Sequence, residues 1–427
     1  MGGDRDDSGV IAPTIGASEC TDRKGRQAVS SDPSEPSLAV RPRPAPLFLR
    51  RRFLRRFAPV ASLAVGGLVA LLVSANLLLP FERLVTLEGT MGAMAHLFND
   101  DRVRDLLLRH HLRVNVIRQG SRDGATGDLG SLDFVFTSGQ PAADLVVQRR
   151  RAEGKYYSQH KPYISPIVLA TYREYAETLH AAGVATPQVS RGFDRPYYYT
   201  LDMAGFLGLV RAEKSWADLN GRAHGVANDN KVLAQTPSMC ASNSGASYLG
   251  LVSYVVHGRV PATAEEAADF TNKIKSLLDD SLPLPAPEIY FRPEGRPTAP
   301  IIVLYEHQYL ADQLGHRERS GELDDDHVLL YPNTAVQAQP QFVALNEDAD
   351  RLGRLLITDP DLRRRALELG LRVLDPGRGT SSEQLSTLLA ERGVPVPSAG
   401  SDTRAVLPDT PLLEQMISVG CPSVMPK

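Results

Sequence analysis

The sequence predicts an α/β fold with parallel strands, laid out in two units and preceded by one membrane-crossing helix. Three observations predict it. From Leu84 onward, short apolar and β-branched runs alternate with helically spaced apolar residues, the pattern of strand–helix–strand units. Turns rich in Gly, Ser, Thr and Asn stand where those strands pass into helices. Upstream of all this, the run from Phe57 to Phe81 carries no charged residue, and Arg50, Arg51, Arg52, Arg55 and Arg56 stand just before it.

An apolar run of this length crosses a bilayer as a helix, which takes about 20 residues. The arginines orient it, with the N-terminus cytoplasmic and the chain from Glu82 onward extracytoplasmic. A secretory leader has an apolar core of roughly 7–15 residues, so this longer, later run reads as a single-pass signal anchor. Cleavage after Ser74 or Ala75 is the alternative. Residues 1–48 are rich in Gly, Ser, Asp and Pro and read as a disordered cytoplasmic tail, with residues 49–82 forming the basic flank and the anchor.

The net charge of −3 does not suit a general nucleic-acid binder. Three cysteines exclude a disulfide-dense scaffold and form no CxxC metal spacing. Cys20 lies in the inner tail, which leaves Cys240 and Cys421 together in an oxidising compartment. They are expected to form a disulfide, because an exposed free thiol there is a liability.

The first unit begins with a strand at Leu84–Leu87, after which Gly89-Thr90-Met91-Gly92 opens a helix running toward Leu107. Strands follow at Leu112–Ile117, at Leu132–Phe136 and at Ile164–Ala170. In the second unit, Lys214–Leu219, around Trp216, reads as the polar start of a short helix and Val232–Ala234 as a strand. The turn Thr236–Gly245 leads into a helix from Ala246 to Val256, and apolar spacing predicts another over Ala262–Leu278. Strands at Ile301–Leu304, Val328–Tyr331 and Phe342–Leu345 precede a helix at Asp361–Leu369. The segment 395–427 is Pro- and Ser-rich up to the apolar stretch Leu412–Val419.

No GxSxG, HExxH, GxxxxGK[ST] or GxGxxG motif is present. His110-His111 reads as a solvated pair, and Asp324-Asp325-Asp326 lacks the glycine and the terminal glutamate of a calcium loop. The informative chemistry lies in three turns: Gly89-Thr90, Ser138-Gly139, and Ser242-Asn243-Ser244-Gly245. Each puts hydroxyls and small residues at a helix start, where unpaired N–H groups and the helix dipole favour an anion. Simple N-capping is the competing explanation. Three such turns at the carboxyl ends of strands, where open α/β sheets bind ligands, favour a site. Tyr305-Glu306-His307-Gln308 closes a buried strand and reads either as part of the same cleft or as a polar surface end. The tyrosines at 156, 157, 163, 172, 175 and 197–199 offer a weaker iron-binding alternative. No cofactor is called for.

Taken together, Gly89-Thr90-Met91-Gly92, Gln119-Gly120-Ser121-Arg122, Phe136-Thr137-Ser138-Gly139 and Tyr163-Ile164-Ser165-Pro166-Ile167-Val168 resemble the first lobe of bacterial extracellular solute-binding proteins. The likeness is to the type II periplasmic binding fold, nearest the molybdate- and sulfate-binding families. Thr236–Gly245 resembles the anion-facing turn of the second lobe, and Tyr305-Glu306 with Tyr331-Pro332-Asn333-Thr334 the segments that cross back. The resemblance implies two doubly wound lobes joined by two crossovers: 83–175 as the first part of lobe 1, 176–330 as lobe 2 and 331–394 as the return. It also implies that Thr90, Ser138, Ser244 and Tyr305 line an interlobe cleft. The expected function is extracytoplasmic capture of an oxyanion or carboxylate-bearing solute, without catalysis, for delivery to a membrane transporter such as an ABC-type permease. A membrane-anchored sensor or assembly subunit is the first alternative. A hydrolase using Ser244 or Ser138 with His307 is the second.

Overall fold

The computed structural model describes residues 59–60, 62–67, 83–282, 286–375, 379–380, 382–398 and 403–421. The chain divides into two units, Met1–Pro80 and Phe81–Lys427. In the first, residues 59–60 and 62–67 are helical and exposed, and the rest of the expected anchor lies outside the described residues. Among the described residues no helix is long and apolar enough to cross a membrane.

The second unit starts with β1 (Val85–Met91), α1 (Ala95–Asn99), α2 (Asp101–Arg109), β2 (Leu112–Arg118), α3 (Ser121–Thr126), β3 (Phe134–Thr137), α4 (Gln140–Ala152) and β4 (Ser158–His160). There follow β5 (Tyr163–Tyr172), α5 (Arg173–Ala181), β6 (Ala185–Gln188), β7 (Tyr198–Leu201), α6 (Met203–Arg211), β8 (Gln235–Pro237), α7 (Asn243–His257) and α8 (Ala264–Ile274). Then come β9 (Asp279–Leu282), α9 (Ala286–Tyr290), α10 (Gly295–Thr298), β10 (Ile301–Tyr305), α11 (Glu306–Ser320), β11 (His327–Pro332), β12 (Thr334–Ala335), β13 (Gln337–Ala338) and β14 (Gln341–Ala344). The chain closes with α12 (Glu347–Thr358), α13 (Pro360–Glu368), β15 (Arg372–Asp375), α14 (Ser382–Glu391) and α15 (Thr410–Gly420).

Two principal sheets result. The first has the order β2-β1-β3-β14-β4, with β1, β2 and β3 parallel and β14 antiparallel to β3. Its central strands β3 and β14 are buried on both faces, whereas the edge strands β2 and β4 are partly exposed. Phe134 and Phe136 of β3 pack with Phe342 of β14 into one core, while Val135 and Val343 enter another on the opposite face. The two-residue period of a strand produces this division directly. The second sheet runs β6-β7-β11-β5-β10-β8-β9 and is surrounded by a third, larger core.

Strand β5 belongs to both halves. Its residues Ile167–Thr171 pair antiparallel with β10, and Leu169–Tyr172 with β11. Its earlier residues instead pair with the returning chain: Tyr163 and Ile164 with β15, Ser165 and Pro166 with β13. The outgoing and returning connections are therefore hydrogen-bonded side by side.

Several elements differ from those expected. Lys214–Leu219 is a turn, because the Ser215 hydroxyl and the Asp218 carboxylate bond each other and nearby amides, which competes with helix formation. Val232 pairs its N–H with Lys214 O at 2.7 Å in that irregular region, and the strand forms three residues later at β8. Several helices add to the expected set, among them α4, α5, α6, α11, α12, α14 and α15. Helix α11 begins straight after β10, where the Gln308 side chain accepts the Tyr305 N–H, and α12 is capped by Asn346.

Candidate functional site

The order 2-1-3 around β1 makes the space beyond the carboxyl ends of β1 and β3 a topological switch point, where open α/β sheets hold ligands. Thr90, at the end of β1, is 1% exposed. Its hydroxyl donates to Ile117 O at 3.3 Å and accepts from Gln119 Nε2 at 2.7 Å, which ties the ends of β1 and β2 together. Beyond β2, Ser121 begins α3 and its hydroxyl lies 2.8 Å from that of Ser138, beyond β3. Ser138 N also donates to Ser121 Oγ at 3.3 Å.

The second sheet contributes the facing groups from β8 and β10. Ser242 caps α7 by accepting the Gly245 N–H at 3.0 Å, so its hydroxyl is used locally. Asn243 Nδ2 donates to the Tyr305 hydroxyl at 3.2 Å. Ser138 and Ser244 lie close to this phenol, whose pKa is raised because burial opposes its ionisation. Asn243 Oδ1 is buried with no partner. A Cβ on Gly139 would stand 2.2 Å from Asn243 Nδ2, so glycine permits the two sides to touch here. Ser138, Gly139, Asn243, Ser244 and Tyr305, all singled out from sequence, thus converge with Ser121 in one buried, uncharged donor cluster.

Beside this cluster the two sides meet through main chain. Ala241 O accepts the N–H groups of Arg122 at 3.0 Å and Asp123 at 3.4 Å, at the start of α3. A Cβ on Gly120 would lie 2.2 Å from Ala241 O. The Arg122 guanidinium donates to Cys240 O at 3.3 Å and, as a two-pronged fork, to Glu414 at 2.6 Å on both oxygens. Sequence reading found neither Arg122 nor Glu414 as a site residue. Cys240 and Cys421 are bonded, with Cα atoms 6.0 Å apart, which fastens the end of α15 to the same turn.

Other sequence-selected residues have different roles. Gly89 allows close packing, since a Cβ would meet the Phe134 ring at 2.0 Å. Glu306 is fully buried and its carboxylate is saturated by Arg372 at 2.6 and 2.7 Å and by the Tyr331 hydroxyl at 2.8 Å. His307 bonds Ser165 Oγ at 2.7 Å and stacks on His96 at 4.8 Å, and its Nε2 is unpartnered. It makes no bond to Ser138 or Ser244, and no carboxylate orients it, so the hydrolase geometry is not assembled. Tyr163, Tyr172 and Tyr198 are buried phenols with pKa values raised by desolvation, the opposite of what a phenolate ligand requires. Among the described residues, no group of three His, Cys, Asp or Glu side chains could hold a metal ion.

No family model matches the chain, and no curated protein matches it. Solved structures do match. The sulfate-binding protein SubI from Mycobacterium tuberculosis H37Rv is 13% identical, with 75% of this chain and 94% of that chain covered and a TM-score of 0.41. Iron-bound HitA from Pseudomonas aeruginosa is 12% identical, covering 79% and 100%, with a TM-score of 0.44. The substrate-binding domain of a putative molybdenum ABC transporter from Clostridium difficile is 9% identical, covering 67% and 97%, with a TM-score of 0.34. Here the fold assignment rests on the sheet order, and the chemistry on the residues that meet between the sheets.

Proposed function

We propose that the chain is an extracytoplasmic solute-binding protein whose ligand is a small oxyanion or a carboxylate-bearing solute. One observation carries the reading. Ser121 and Ser138 from one sheet meet Asn243, Ser244 and Tyr305 from the other at the carboxyl ends of their strands, all buried. Such a cluster offers neutral O–H and N–H donors, and a buried anion is stabilised by such donors when enough of them converge. The paired strands β5 and β13 form the hinge about which the halves part to admit the ligand. The Phe57–Phe81 segment anchors the protein on the outer face of the membrane, within reach of a transporter of the ABC type that takes the ligand.

Titrating the full chain with sulfate, molybdate, simple carboxylates and amino acids while following its melting temperature tests this reading. A ligand binding only the folded form stabilises it by about 2.7 kcal/mol at 100 times its Kd. No response to any member of the panel refutes the reading. It would favour the sensor or assembly role, for which the capping of α3 by Ala241 O is the supporting observation. Deleting residues 1–48 would then abolish function while leaving the folded unit unchanged.

A further inference from the structure

Resting on the reading of the cleft as an anion site, we propose that Arg122 is a charged ligand position at its edge and that Glu414 is an internal anion occupying it. Helix α15 is then a strap that holds the seam shut until a ligand displaces it. The Arg122 side chain is only 5% exposed, so it requires an anionic partner wherever the halves are closed. That partner comes from 292 residues away, on α15. Three attachments place α15 there. Its last turn is tied through Cys421 to Cys240, next to the Ala241 carbonyl that caps α3. Its first residue, Thr410, donates to Asp144 of α4 at 2.8 Å. Between them, Glu414 grips Arg122. The helix also packs on α8 and α7, beyond β8 of the second sheet, and on α4, beyond β3 of the first, and so touches both sides.

The pair is unequal. Glu414 is 31% exposed and can swing into water once a ligand anion takes its place, whereas Arg122 is enclosed and stays. The planar fork that now receives a glutamate accepts any carboxylate or tetrahedral oxyanion in the same two-pronged geometry. The ligand class follows: a solute with one such group placed where the Glu414 carboxylate stands, its remainder turned toward the hydroxyl cluster. Opening the seam for that solute breaks the Arg122–Glu414 pair and the two amide bonds to Ala241 together.

Amide hydrogen exchange on the full-length chain reads this directly, because the Arg122 and Asp123 amides report on the seam. With Glu414→Gln, exchange in segments 118–126 and 238–245 is expected to rise about tenfold, a typical strength of coupling between two sites. Inorganic sulfate is expected to restore protection in this variant at lower concentration than it protects the wild type. Reducing the disulfide, with Glu414 intact, should give a smaller rise in the same segments. Unchanged exchange in Glu414→Gln overturns the strap and leaves the reading of the cleft standing. A local rise that sulfate does not reverse overturns Arg122 as an anion position, and the anion reading of the cleft with it. Should Glu414→Gln exchange faster throughout the chain, Glu414→Asp, which keeps the charge but shortens the reach, decides by the same two segments.

Discussion

Tyr305 and Glu306 are neighbours in sequence, both almost fully buried where β10 becomes α11, yet they belong to different kinds of structure. The Glu306 carboxylate is closed off by Arg372 and Tyr331, with the charge matched and the oxygens occupied. The Tyr305 phenol looks into a group of neutral hydroxyls and amides in which one acceptor, Asn243 Oδ1, has no partner. A saturated buried charge is a strut, and its value lies in what breaking it would cost. An unsaturated neutral cluster is a vacancy for chemistry, because a buried acceptor without a partner is a cost that a ligand N–H or O–H can relieve. Burial alone does not separate the two regions; hydrogen-bond completeness does.

Three measurements can break or sharpen this contrast. The largest effect belongs to the strut. Glu306→Ala strands the Arg372 guanidinium in a mostly buried setting and should cost about 3–5 kcal/mol in urea denaturation. A loss below 1 kcal/mol would show that Arg372 escapes to water, and the strut reading would fail.

The second effect belongs to the imidazoles between the regions. Burial holds His96 and His307 below the ordinary value, His307 well below; Asp100 opposes this at His96, while Arg118 adds to it. The unfolded chain therefore binds more protons at mildly acid pH, so this stability is intact above about pH 6.5 and is lost as pH falls below it. Each ring contributes a slope of up to about 1.4 kcal/mol per pH unit. Urea midpoints at pH 7.5 and 5.5 should diverge in the wild type and converge in a His96→Gln, His307→Gln double variant. Equal divergence in both proteins would assign the effect to other groups.

The smallest effect belongs to the cluster. Tyr305→Phe removes one neutral hydrogen bond and should weaken ligand binding by about 1 kcal/mol, roughly fivefold, with little change in stability. If stability falls more than affinity, Tyr305 belongs with the strut and the contrast dissolves.

Sequence reading reached the cluster because its signals are local. Hydroxyls and glycines at strand-to-helix turns mark helix starts whatever the rest of the chain does, and Ser138, Asn243 and Ser244 stand in such turns. The strand through Phe134–Phe136 was legible for the same reason: Phe134-Val135-Phe136 alternates between two cores, as its period requires. What escaped was set by distance. Nothing near Arg122 announces Glu414, and the Pro- and Ser-rich composition around α15 resembles a tail until the helix is seen packed on α8. Gly89 was overread: its neighbours suggest a ligand turn, but the Phe134 ring beneath it explains the missing side chain. Helix α11 was missed because Tyr305 stands at its cap in place of the usual Ser, Thr, Asp or Asn.

Strand β5 has one further consequence. Its ten residues pair with the returning chain at one end and with β10 and β11 at the other, without a break. Gain or loss of one residue near Pro166 would turn every later side chain of the strand to the opposite face. Inward-facing and outward-facing positions along one edge of the largest core would then change places at once. Identity can drift along this strand wherever size and polarity are kept, but its length cannot. A change of length is tolerated instead in exposed connections on which no strand register depends.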